Sequence, residues 1–152
     1  MFIGSHSHAL DAKGRLSIPA EFRNEFQKRG DGIPILTNLK HCLALYPYEE
    51  WMTFARRVQS VATVDPKVQA FQRFVLFGAS PCPIDKQGRI LVPARLREHA
   101  RLERDAVVAG KDSFVEIWNP ERLGSELAHT LANFDEIASD VDARSRAASK
   151  ED

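Results

Sequence analysis

One ten-residue stretch occurs twice. Asp11-Ala12-Lys13-Gly14-Arg15-Leu16-Ser17-Ile18-Pro19-Ala20 returns as Asp85-Lys86-Gln87-Gly88-Arg89-Ile90-Leu91-Val92-Pro93-Ala94. Asp, Gly, Arg, Pro and Ala keep their places, and Leu10 matches Ile84, Leu16 matches Ile90, Ile18 matches Val92 and Arg23 matches Arg97. Backbone-determining, apolar and charged positions all recur, so the chain is an internal duplication. Two halves of about seventy residues are each marginal alone, which implies a core shared between them.

Within each copy, Asp-x-x-Gly-Arg reads as a tight turn between two strands, because glycine takes a positive φ that a side chain resists. After it, Leu16 and Ile18 share one strand face and Arg15 and Ser17 the other, a half-buried pattern. The proline then suits the start of a helix. The second copy reads Arg89-Ile90-Leu91-Val92, with apolar Leu91 where the first has Ser17. Strands covered on both faces have such apolar runs, so the second strand is expected to be covered and the first turn to be the more open surface.

The opening Met1-Phe2-Ile3-Gly4 and the two Asp-x-x-Gly-Arg-x-x-x-Pro-Ala segments resemble the MraZ family of bacterial transcriptional regulators, from Met1 to roughly Leu131. Each half is similar to a SpoVT/AbrB-type DNA-binding unit. The resemblance implies an α+β fold of tandem, pseudo-symmetric swapped-hairpin β units with short helices, interlaced through one core.

Between and beyond the repeated segments the pattern is regular. Strands are expected over Phe2 to Leu10, Ile33 to Thr37 and Cys42 to Tyr46, and helices over Pro19 to Arg29, Tyr48 to Val61 and from Asp65-Pro66 onward. Val68, Phe71, Phe74 and Val75 in the last of these fit a core or a subunit interface better than a cofactor pocket. The second half repeats the plan, with strands over Ala106 to Gly110 and Phe114 to Trp118 and a closing helix from Glu121 to about Ile137. Residues 139–152 have almost no large apolar side chain and read as a disordered tail. The expected organisation is a first SpoVT/AbrB-like repeat over 1–60, a connecting helix over 61–77, a second repeat with its C-terminal helix over 78–138, and the tail.

Net charge is zero, but it is unevenly spread: 16 Lys and Arg against 11 Asp and Glu through Gly110, and 5 against 10 beyond it. Such a chain attracts polyanions on its basic body. No apolar run suffices to span a bilayer and no signal core opens the chain, so a cytoplasmic protein without a membrane partner is expected. Cys42 and Cys82 read as small buried hydrophobes, and the His6/His8 pair lacks the further ligands a metal site needs, so neither metal nor cofactor is expected. A phosphate-handling enzyme could use the Gly-Arg turns as an anion cradle. There is, however, no P-loop, no Gly-x-Gly-x-x-Gly and no nucleophile elbow, and His99 and His129 lack a paired nucleophile, so neither an enzyme nor a small-molecule substrate is expected.

Two readings of the turns stand side by side. In one, Arg15 donates two hydrogen bonds to guanine O6 and N7 while Lys13 neutralises a phosphate. In the other, Asp11 pairs with Arg15, and Asp85 with Arg89, only to hold the hairpin's shape. The resemblance favours the first and implies DNA-binding roles for Arg15, Lys13, Gly14, Asp11, Arg89 and Lys86. It further implies a ring-shaped homo-oligomer at the nucleoid, which binds direct repeats in double-stranded DNA upstream of the division and cell-wall gene cluster, its own promoter included, and represses transcription. An antitoxin paired with a toxin chain is the alternative, but such proteins usually have one DNA-binding unit and a long tail.

Overall fold

The computed structural model describes residues 1–61 and 64–151, so positions 62 and 63 of the expected connecting segment and residue 152 of the expected tail lie outside the described residues. Met1–Pro120 forms one compact unit and Glu121–Asp152 a second.

In the first unit, β1 (Ser5–Ala9) leads through the Asp11 turn to β2 (Arg15–Ser17) and α1 (Ala20–Lys28). β3 (Ile35–Asn38), β4 (Leu43–Tyr46), α2 (Tyr48–Gln59) and α3 (Pro66–Phe77) complete the first copy. The second runs through β5 (Ser80–Pro81), the Asp85 turn, β6 (Arg89–Leu91), α4 (Ala94–Ala100), β7 (Asp105–Lys111) and β8 (Phe114–Trp118). Pro19 and Pro93, expected as the first helical residues, are instead the N-cap residues of α1 and α4, so each helix begins one position later. Their carbonyls accept the N–H of Arg23 and Arg97, both at 2.9 Å, closing the first helical turns.

Strands pair across the duplication. β2 runs antiparallel to β6, with Leu16 opposite Ile90. β1 pairs with β7 and β4 with β8, giving a six-stranded sheet in the order β1-β7-β8-β4-β3-β5. Exchanging each strand for its counterpart in the other copy reverses this order onto itself, so the unit has a pseudo-two-fold axis between β4 and β8. The segments flanking the first turn pair through the isolated Leu10–Leu16 bridge, beside which the Asp11 N–H donates to the Arg15 carbonyl at 3.0 Å. A hairpin whose second strand pairs with the other copy is the swapped architecture.

Both copies fill the core: Phe2, Leu16, Phe22 and Leu36 from the first pack in one cluster with Ile90, Leu96, Val108 and Ile117 from the second. Each fully buried side chain of this kind contributes roughly 1.5–3 kcal/mol, and neither half can bury its share without the other. Cys42 and Cys82 are buried thiols, with Cys82 pushed up to about 12 by its burial. His6 packs edge-on against Phe22.

Two expectations need correction. Leu91 is not covered within the chain; it is 59% exposed, on the same open face as Arg15. The contrast with Ser17 therefore does not distinguish the copies, because a three-residue strand paired on one side can leave an apolar side chain in solvent. Nor are residues 139–151 disordered: in the second unit the expected closing helix ends early, as α5 (Pro120–Ala132), and α6 (Phe134–Glu151) continues through that segment. Ala138, Ala143, Ala147 and Ala148 are strong helix formers, and Arg146 pairs with Asp142 one turn away at 3.1 Å. Counting large apolar residues misses both contributions.

Candidate nucleic-acid interface

The short β2–β6 ribbon has two faces. Leu16 and Ile90 turn inward and are buried, while Arg15, Ser17, Arg89 and Leu91 alternate onto the opposite face. A turn leads into each strand. Asp11 Oδ1 accepts the backbone N–H groups of Lys13 and Arg15, both at 2.9 Å, and the Asp11 carbonyl accepts the N–H of Gly14 at 3.0 Å. Asp85 repeats this with Gln87 at 2.9 Å, Arg89 at 3.0 Å and Gly88 at 2.9 Å. The recurring aspartate is thus the internal acceptor that shapes the turn, which leaves Lys13 and Lys86 exposed near its tip.

These bonds hold the Asp11 carboxyl well below the usual carboxylate range, at about 2, chiefly through the Arg15 backbone N–H. Asp85 is lowered too, first by the N–H of Arg89. A lowered folded-state value means that each carboxylate supports the turn above its unfolded pKa and loses that contribution as pH falls through the folded one. For Asp11 the loss runs from about pH 4 down to about pH 2, so both turns keep their charge at neutral pH.

The arginines differ in how tightly they are held. Arg15 Nε donates to Asp11 Oδ2 at 2.7 Å. Arg89 Nε stands 3.6 Å from Asp85 Oδ2, and its Nη1 lies 3.8 Å from Asp11 across the pseudo-axis. The Asp–Arg pairing is therefore present in the first copy and loose in the second. It engages Nε of Arg15 and not the two terminal Nη nitrogens, so ion pairing and presentation of a guanidinium edge coexist. Their side chains are 35% and 30% exposed, close to equal.

Two residues outside the expected set, Arg23 and Arg97, complete the site. Gly14 and Gly88 have φ of +85° and +77°, yet both are buried at their turn tips. A Cβ on Gly14 would come within 2.8 Å of the Arg97 guanidinium, and one on Gly88 within 1.7 Å of an Arg23 terminal nitrogen. Each copy's helix thus sets an arginine against the other copy's turn. Their recurrence at matching positions was the available signal, but only the swapped pairing brings them to the turns. Gly14→Ala and Gly88→Ala should each cost roughly 1–2 kcal/mol of backbone strain, lowering the melting temperature by about 2–8 °C, and displace the facing arginine. In an Arg97→Ala background the steric part of the Gly14→Ala cost should vanish, which thermal denaturation of the single and double variants checks.

The structure thus brings Asp11, Lys13, Gly14 and Arg15 together with Lys86 and Arg89 on one ribbon and its turns, from either side of its pseudo-axis. This unit also carries the basic excess, 17 Lys and Arg against 13 Asp and Glu through Pro120. A groove of about 680 Å³ beside the second turn is lined by Arg23, Tyr48 and Lys86 but equally by Asp31, Glu49 and Asp85. It shows no preference for either sign of charge. Among the described residues, no helix is long and apolar enough to cross a membrane.

Comparison with known proteins agrees with the internal duplication. The family described as "MraZ protein, putative antitoxin-like" matches twice, over residues 1–74 and 75–144. A protein of Thermomicrobium roseum named transcriptional regulator MraZ is 44% identical over 138 residues, covering 91% of this chain and 95% of its own length. Proteins of the same name from Thermoanaerobacter pseudethanolicus and Heliobacterium modesticaldum are each 42% identical, covering 93% and 91% of this chain and 97% and 94% of their own lengths. A match in each half, in the order in which the two turns build one ribbon, places this chain in the MraZ family.

Proposed function

We propose that this protein is a sequence-specific, double-stranded-DNA-binding transcriptional regulator that uses the β2–β6 ribbon as its reading element. The observation that carries this is the open ribbon face, where Arg15 and Arg89 stand with Lys13 and Lys86 at the adjoining turns while the acidic residues are spent on internal bonds. A two-stranded ribbon fits a major groove. Arginine is the side chain suited to bidentate contact with guanine, and the lysines reach phosphates. The names of the relatives support the same reading.

The finer proposal is repression, through direct repeats upstream of the division and cell-wall gene cluster and including the protein's own promoter, by a ring-shaped homo-oligomer at the nucleoid. Two arginines and two lysines make a small footprint for one chain, and several chains linked in a ring multiply it. Subunits around a ring present their ribbons in the same sense, which suits direct rather than inverted repeats. The test is fluorescence anisotropy of the purified protein on the DNA just upstream of its own gene, with the repeats intact or scrambled. Saturable binding to the intact sequence, with only salt-labile binding to the scrambled one, is expected; equal binding to both would overturn the reading.

A further inference from the structure

We propose that the outer face of α3 is the docking surface for α6 of a second copy of this chain. The inference rests on the self-association proposed above and names the contact that would make it.

The inner side of α3 is tied to the sheet. Thr37 Oγ1 donates to the Val75 carbonyl at 2.7 Å, Asn38 Nδ2 donates to the Phe74 carbonyl at 3.1 Å, and Val75 is fully buried. On the outer side Phe71, Phe74 and Phe77 recur every third residue and are 51%, 43% and 78% exposed. Single exposed apolar residues are ordinary; a row of three phenylalanines on one helix marks an interaction surface. Lys67 lies within this row and Arg73 beside Phe77, and no carboxylate occurs from Pro66 to Phe77.

The apolar stripe of α6 is of opposite surroundings. Phe134, Ile137 and Val141 recur at i, i+3 and i+7 and are exposed. At helical spacing Glu136 and Asp140 border one side of the stripe and Asp135 and Asp142 the other. Residues 134–142 contain no Lys or Arg. Apolar row therefore meets apolar row, and the bordering charges attract. Pairing α3 with α3 would oppose Lys67 and Arg73 to themselves, and pairing α6 with α6 would oppose four carboxylates to four. Charge thus selects the contact between unlike surfaces. Each chain has one surface of each kind, so the contact closes either reciprocally, as a two-fold pair, or head to tail, as a ring.

The test uses the full chain in size-exclusion chromatography with light scattering, with folding checked by thermal denaturation. Lys67→Glu with Arg73→Glu should reduce an assembled protein to monomer, and adding Glu136→Lys with Asp140→Lys to the same chain should restore assembly. Chains with one added cysteine each, Phe77→Cys or Ile137→Cys beside the buried Cys42 and Cys82, should form a mixed disulfide through the added thiols only when combined and oxidised. Unchanged mass after charge reversal would overturn the proposal, as would a disulfide closing within one Phe77→Cys/Ile137→Cys chain rather than between chains. If the unaltered protein is monomeric, self-association fails along with this contact. If it is assembled and indifferent to the charge reversals, this contact alone fails.

Discussion

Arg15→Ala should abolish sequence-specific DNA binding while leaving the fold and the assembly state unchanged. Arg15 lies on the open face of the ribbon, and the packing beneath it is supplied by Leu16 and Ile90. A bidentate arginine–guanine contact discriminates by about 1–3 kcal/mol, roughly a factor of 5 to 160 in affinity at each engaged ribbon, and the loss compounds when several chains bind together. Arg89→Ala should be comparably damaging, since Arg89 is similarly exposed on the same face and no covering layer sets it apart. Arg15→Lys retains the charge but not the two-pronged geometry, so it should lose specificity while keeping much of the salt-dependent affinity. Gel-shift titration on specific and scrambled duplexes, beside size-exclusion chromatography, reads all three. Unchanged affinity in Arg15→Ala would remove the reading role. Loss of the fold would show that the Asp11–Arg15 pair is structural and no more.

The second large effect is on repeat number. With Lys13 and Lys86 the exposed cations nearest the turn tips, one ribbon neutralises about two phosphates, for a salt slope near −2 in log–log terms. Each added direct repeat should deepen the slope by a similar amount and raise affinity far beyond the linear gain of independent sites, by about 10²–10⁴ over single-site binding. The second binding event occurs at high effective concentration because the chains are already linked. Equal-length duplexes with one to four repeats, titrated by fluorescence anisotropy at several salt concentrations, measure both quantities. If a single repeat binds as tightly as four, with the same slope, one chain suffices and assembly has no part in recognition.

Glycine and proline punctuation, the alternation of Leu16 and Ile18 with Arg15 and Ser17, and the helical spacing of Phe22 with Phe26 and of Trp51, Ala55 and Val58 were legible in the sequence because they are local. They depend on backbone stereochemistry and on a periodicity of two or 3.6 residues, and the structure has those elements to within a few residues. The duplication was equally legible, and it implied a shared core because neither half is large enough to bury its own. What no local pattern contains is which strand pairs with which. Leu16 needs a partner to shield it, and Leu10 across its own turn and Ile90 across the duplication satisfy the same alternation. The swapped pairing was therefore an expectation of family resemblance, and in the folded chain it follows from both halves filling one core. That choice also determined what each half's arginine does: Arg23 and Arg97 look like surface residues of their own helices, and the swap sets them against the glycines of the opposite turns. Exposure of Leu91 depended likewise on neighbours distant in sequence. The helix over residues 139–151, by contrast, was a local property overlooked, since alanine propensity and an i,i+4 ion pair need no distant partner.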